Sequence, residues 1–147
     1  KGDPRWDEDK VWICMGHLRK GGWWIKKKAK IASDEHTTIA NMESAAPDGT
    51  DWRLSPRDLV SEAENTNIST IPLSTSDVND YFFLPAFGIY TSQDGKYHSG
   101  NCNFWASSGD GQNHNQSAFG MLASKTKINV TSGLSRELNI MVAYNFE

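Results

Sequence analysis

Tyr81-Phe82-Phe83-Leu84-Pro85 is the stretch on which the fold turns. Its apolar run has the length of a buried strand rather than of a helix, and Pro85 stops it because proline brings no amide hydrogen to a ladder. The chain changes character across it. Downstream, Gly88, Gly95, Gly100, Gly109, Gly111 and Gly120 cut the sequence into short segments, and residues 103–106, 118–123, 127–130 and 138–146 read as strands. Upstream, residues 6–31 read as extended structure around a Gly21-Gly22 turn, with Val11-Trp12-Ile13-Cys14-Met15 and Trp23-Trp24-Ile25 as apolar runs. Residues 33–42 then read as a short helix capped by Ser33 or Asp34. Residues 46–51 are turn-rich. A second helix start follows, with Ser55 as cap, Pro56 at the first helical position and Asp58 at the third, and Leu59, Val60 and Ala63 form its apolar stripe. Residues 66–80 are polar and read as a loop. Helices first and a strand-rich second half predict an α+β fold with a twisted antiparallel sheet, in one domain spanning 1–147.

Bulk properties exclude several classes. At 147 residues, 37% hydrophobic and 22% charged, the chain is neither disordered nor fibrous and can bury one core. No apolar run approaches the ~18 residues of a membrane span, so no membrane insertion is expected from this segment. A net charge of −3 argues against nucleic acid as a partner. Six tryptophans are unusual, and tryptophan serves either a compact core or a binding surface, because it carries one donor on a large apolar body. The chain begins Lys1-Gly2-Asp3 without Met, as a processed or excised piece would. Cys14 and Cys102 permit one disulfide, and two buried thiols fit the count equally well. Lys10 to Ser33 contains no acid. A solvated strand edge is the plain reading of its lysines, and a phosphate- or base-binding strip the alternative.

Several short runs resemble one family. Trp52-Arg53-Leu54 before a capped helix is similar to the "WRLPT" block of the major paralogous domain found in Fibrobacter and Bacteroidetes surface proteins. Tyr81-Phe82-Phe83-Leu84-Pro85-Ala86-Phe87-Gly88 resembles that family's "FFLPAAG". Phe104-Trp105-Ala106-Ser107-Ser108 stands where the family has "YYWSS". The strand order through Ser135-Arg136 and residues 139–143 follows its closing section. The resemblance covers residues 50–147, leaving 1–49 as N-terminal strands and a short helix. It departs at Ser55, inserted before Pro56, and at Val142-Ala143-Tyr144, which replaces the final "RCV". The resemblance implies a C-type-lectin-like fold, a secreted or cell-surface location, and a role as a pilus-tip adhesin domain or as a variable protein of a diversity-generating retroelement.

The candidate site is the polar segment Tyr97-His98-Ser99-Gly100-Asn101-Cys102-Asn103 together with residues 109–116. Asn, Gln, His and Tyr supply donors and acceptors without fixed charge, and on loops held by a sheet they make an adaptable hydrogen-bonding surface. Tyr97, His98, Asn101, Asn103, Trp105, Asp110, Gln112, Asn113, His114, Asn115 and Gln116 are the expected ligand contacts, for a protein or glycan on another cell. Trp105 is an anchor, or a core residue if it occupies the family's strand position. No cofactor or metal is expected. Calcium needs converging carboxylates, and the tripeptides of sugar-binding lectins are absent. His17, His36, His98 and His114 lack paired zinc spacing. No catalytic residue is expected either. Cys14 and His17 lie close in sequence, but a nucleophile also needs a base in reach and an orienting third group. The alternatives are an assembly domain of a pilus, burying Trp6 and Trp12 against a partner strand, and an enzyme related to the formylglycine-generating oxidase by fold analogy alone.

Overall fold

The computed structural model describes residues 1–14, 16–45, 49, 68–90, 95–98, 101–109 and 117–135. The chain divides into two compact units of interleaved sequence: Lys1–Trp52 with Asn67–Ala86, and Arg53–Thr66 with Phe87–Glu147. Both contain antiparallel sheets, and the described helices are few and short, an α+β architecture. Among the described residues, no helix is long and apolar enough to cross a membrane. The second predicted helix, at Ser55, the turn-rich loop at 46–51 apart from Gly49, and the strand at 138–146 lie outside the described residues.

The first unit is built on a three-stranded sheet in the order β1 (Arg5–Cys14), β2 (His17–Lys26), β3 (Tyr81–Pro85). β1 and β2 close on the pair Cys14–His17, next to which Gly16 takes a φ of +79°. The predicted Gly21-Gly22 turn is therefore corrected. Both glycines lie inside β2, for a packing reason. A Cβ on Gly22 would lie 2.4 Å from the Leu84 carbonyl and from the Phe83 ring, and one on Gly21 3.1 Å from the Trp6 ring. Glycine is the residue that lets a backbone pass under an aromatic ring this closely.

The core of this unit is tryptophan. Trp23 is fully buried and meets Trp6 edge-on at 5.0 Å, a favoured aromatic geometry. Trp6, which the assembly reading would press against a partner, is already 8% exposed inside its own unit. Between Asp7 and Val11 the register with β2 shifts. The Asp7 carboxylate stitches that irregularity, accepting from the Asp9 and Lys10 amides at 3.1 and 2.9 Å and from Trp24 Nε1 at 2.9 Å. One half-buried carboxylate thus serves three donors.

Two short helices, α1 (Lys28–Asp34) and α2 (Ile39–Ser44), replace the single helix predicted over 33–42, and α1 corrects the extended reading of residues 28–31. His36 causes the break. Its φ of +53° turns the chain left-handed after α1, with the Thr37 amide donating to the Ala32 carbonyl and the His36 amide to the Ser33 carbonyl. That is the two-bond helix stop usually given to glycine. Thr38, rather than Ser33 or Asp34, caps the next helix by accepting from the Asn41 amide at 3.1 Å. The strand-edge reading of the lysines holds only in part: Lys10 is exposed on the edge strand β1, whereas Lys26 closes β2, and Lys28 and Lys30 lie on α1. Asp34 receives Lys26 at 2.8 Å and Lys30 at 2.7 Å, and these bonds hold its carboxyl down at about 2. The loop at 68–80 is as expected, apart from a single 3₁₀ turn at Val78–Asp80.

The second unit has a short hairpin, β4 (Ile89–Tyr90) with β5 (Tyr97–His98). It also has a three-stranded antiparallel sheet, β6 (Asn101–Gly109), β7 (Ser117–Ser124) and β8 (Ile128–Ser135), with β7 in the centre. The strands predicted over 103–106, 118–123 and 127–130 all fall in this sheet, and all three are longer than read. Cys102 and Phe104 are 2% exposed, and Ala123 and Ile128 are buried beside them, with Cys102 opposite Ala123 and Ala123 opposite Ile128. One face of the sheet is thus an apolar core face. Phe87 joins it, its ring edge-on to Phe104 at 6.5 Å. Cys14 and Cys102 both carry thiols.

Candidate functional site

The predicted contact residues divide between strands and the β6–β7 connection. Tyr97 and His98 form β5, opposite Tyr90 and Ile89. Asn101, Asn103 and Trp105 belong to β6, opposite Ser124, Leu122 and Gly120. The loop expected from Tyr97 to Asn103 is corrected to this extent: 97–98 and 101 onward are strand. The reason is the partner strands, because pairing with β4 at 97–98 and with β7 from 101 supplies backbone hydrogen bonds that the sequence alone does not reveal. Asp110, Gln112, Asn113, His114, Asn115 and Gln116 lie outside the described residues, in the segment that joins Gly109 to Ser117.

Strand periodicity sorts the described part. Cys102 and Phe104 face the core, so positions 101, 103 and 105 belong to the opposite face of β6. Across the sheet that face continues through positions 124, 122 and 120 of β7 and 129 and 131 of β8. Read along the strands, it carries Asn101, Asn103 and Trp105, then Ser124, Leu122 and Gly120, then Asn129 and Thr131.

One feature of this sheet was missed in the sequence. Register breaks on both flanks of β7 at the same level, between Trp105 and Gly109 on β6 and between Ala118 and Gly120 against β8. Three residues of β6, Ala106-Ser107-Ser108, and two of β8, Ser132-Gly133, face the single position 119 of β7, so β6 carries two extra residues and β8 one. Bulges bend a strand and re-aim its side chains, and they gather at sheet rims and beside functional sites. These lie at the end of the sheet from which residues 110–116 depart. The run of small residues at 106–108 was the available signal.

Polar groups of the first unit are arranged differently. Arg5 donates to Asp3 Oδ2 from Nε at 3.1 Å and from a terminal nitrogen at 2.9 Å, and the Tyr81 hydroxyl donates to the same oxygen at 2.6 Å. Burial pushes the Asp3 carboxyl up, but these donors more than offset it and leave its pKa below the ordinary value. Burial and the same carboxylate push the Tyr81 hydroxyl up to about 12. This cluster ties the N-terminus to β3, and all of its members are engaged with one another. Cys14 and His17 stand opposite each other at the hairpin end. Among the described residues, no group of three or more His, Cys, Asp or Glu is placed to hold a metal ion.

No family model, no curated protein and no solved structure matches the chain.

Proposed function

We propose that this chain is a secreted or cell-surface ligand-binding domain with a C-type-lectin-like fold, of adhesin or receptor type. Its binding face is formed by the polar positions of β6 and the connection at 110–116. The observation that carries the reading is the alternation in β6: apolar Cys102 and Phe104 turn into the core, and the intervening positions hold Asn101, Asn103 and Trp105. A sheet that needs one apolar face for stability leaves the other to be chosen for something else. Asparagine is poor in strands, so two at alternating positions, followed by Gln112, Asn113, His114, Asn115 and Gln116, favour a surface selected for hydrogen bonding to a ligand. Trp105 adds the large, rigid contact area on which binding hot spots rest. The paired register breaks beside the connection add support, as does the family resemblance over 50–147. The ligand is a protein or a glycan on another surface.

The test is binding of the purified chain to arrays of glycans and cell-surface proteins, repeated with Asn101→Ala and Asn103→Ala together. The proposal expects a ligand whose capture falls at least tenfold in the variant while the melting temperature stays within a few degrees. Capture that ignores these positions contradicts it. Concentration-dependent self-association of the chain, with no ligand found, would favour the assembly reading instead.

A further inference from the structure

The β1–β2 hairpin runs past the third strand of its sheet. β3 pairs only with Gly22–Lys26 of β2, so residues 11–20 continue as a two-stranded ribbon that ends on the pair Cys14–His17. Directly opposed residues share a face of the ribbon, with Cβ atoms about 4.5–5.5 Å apart. A thiol and an imidazole therefore stand side by side at the far end of an extended arm. Cys14 is a half-buried free thiol, and His17 is exposed. Neither side chain has a hydrogen-bond or ion-pair partner among the described residues. Ile13 and Leu18, on the reverse face, are 72% and 73% exposed, so the end of the arm stands clear on both sides.

We infer that this pair is half of a zinc site, completed by the same two residues of a second copy of the chain. Only Met15 and Gly16 separate the two ligands in sequence, the short spacing that structural zinc sites use for a ligand pair. Zinc holds thiolate at about 2.3 Å and imidazole nitrogen at about 2.0–2.1 Å, so tetrahedral donors lie about 3.6 Å apart. Side chains on opposed strand positions can close to that distance. Thiolate with imidazole suits zinc, whereas calcium and magnesium take oxygen ligands. One chain supplies too few donors. Structural zinc takes four, and among the described residues no third Cys, His, Asp or Glu joins the pair. The other thiol, Cys102, is only 2% exposed. A two-fold axis through the metal brings the missing pair from an identical arm and gives a Cys₂His₂ site. Its two thiolates cancel the charge of the ion, so Arg19, next along the same face, does not oppose binding. Each thiol gives its proton to the buffer as it binds. The site uses none of the residues of the binding face proposed above.

The experiment is sedimentation velocity of the untagged full chain, kept reduced with a phosphine, in zinc chloride and in EDTA. The inference expects a dimer holding one zinc per two chains, and a monomer in EDTA. Cobalt(II) in place of zinc should give the visible absorption of a tetrahedral thiolate site. Cys14→Ser and His17→Gln each remove two of the four ligands, and each should abolish both the dimer and the cobalt bands. An unchanged circular-dichroism melt in EDTA confirms that a variant folds. A chain that stays monomeric in zinc, a dimer that persists in EDTA, zinc bound at one per chain, or a dimer that either folded variant leaves intact would each overturn it.

Discussion

The two described three-stranded sheets of this molecule place their polar residues differently. In β1–β2–β3, polar side chains are spent on the fold: Asp7 secures an irregular stretch and the Trp24 ring nitrogen, while Asp3 gathers Arg5 and Tyr81. Large aromatics fill the space between, and glycines admit them. In β6–β7–β8 the buried face is made of smaller parts, Cys102, Ala123 and Ile128 around Phe104, and the asparagines stand on the other face. Polar residues that hold a fold and polar residues that read a ligand look alike in sequence. In the first sheet the structure gives them internal partners.

That contrast can be broken by experiment, beginning where the effect is largest. Trp23→Ala removes the fully buried ring at the centre of the first sheet and should cost about 3–5 kcal/mol in denaturant unfolding. A loss under about 1 kcal/mol would mean that this core does not hold the unit. Gly22→Ala pushes a methyl group into the Leu84 carbonyl and the Phe83 ring and should cost about 1–3 kcal/mol by the same measurement, although alanine is the smallest change available.

Tyr81→Phe sharpens the comparison through pH. The hydroxyl's pKa is raised from 10.0 to about 12 in the folded chain, so its contribution is present below pH 10.0 and is lost as pH rises towards 12. Asp3 has the opposite sign: its lowered pKa contributes above its ordinary value of 3.8 and is lost on acidification below it. The variant should lose about 1 kcal/mol at neutral pH and show a flatter alkaline fall in urea midpoint than the parent chain. Parallel curves would mean that the Tyr81–Asp3 bond contributes nothing. The smallest effect belongs to the other region. On the proposed binding role, Asn113→Ala with Asn115→Ala should change stability by less than about 0.5 kcal/mol, the usual effect at positions the fold does not use. A large drop in melting temperature would make those side chains structural.

How far the sequence could be read follows from the same physics. Tyr81 to Leu84, stopped by Pro85, and residues 118–123, flanked by Ser117 and Ser124, are strands because short apolar segments of that length have few other places to go. The Gly21-Gly22 pair was misread because glycine marks a turn and a close ring contact alike, and only the opposing Phe83 and Trp6 tell them apart. His36 hid the break between α1 and α2, since a left-handed histidine leaves no signature of the kind glycine does. The strands at 89–90 and 97–98 are too short to show a period. At the candidate site, the choice of residue types was visible, whereas the alternation that gives Asn101 and Asn103 one face and Cys102 and Phe104 the other required the register with β7.

The central claim is that this alternation separates a binding face from a core. The most direct test is to sequence the last third of the gene from many isolates of its source. The account predicts substitutions at positions 98, 101, 103 and 113–116, with 102, 104, 123 and 128 held apolar. Variation spread evenly across both sets, or confined to the core positions, would contradict it.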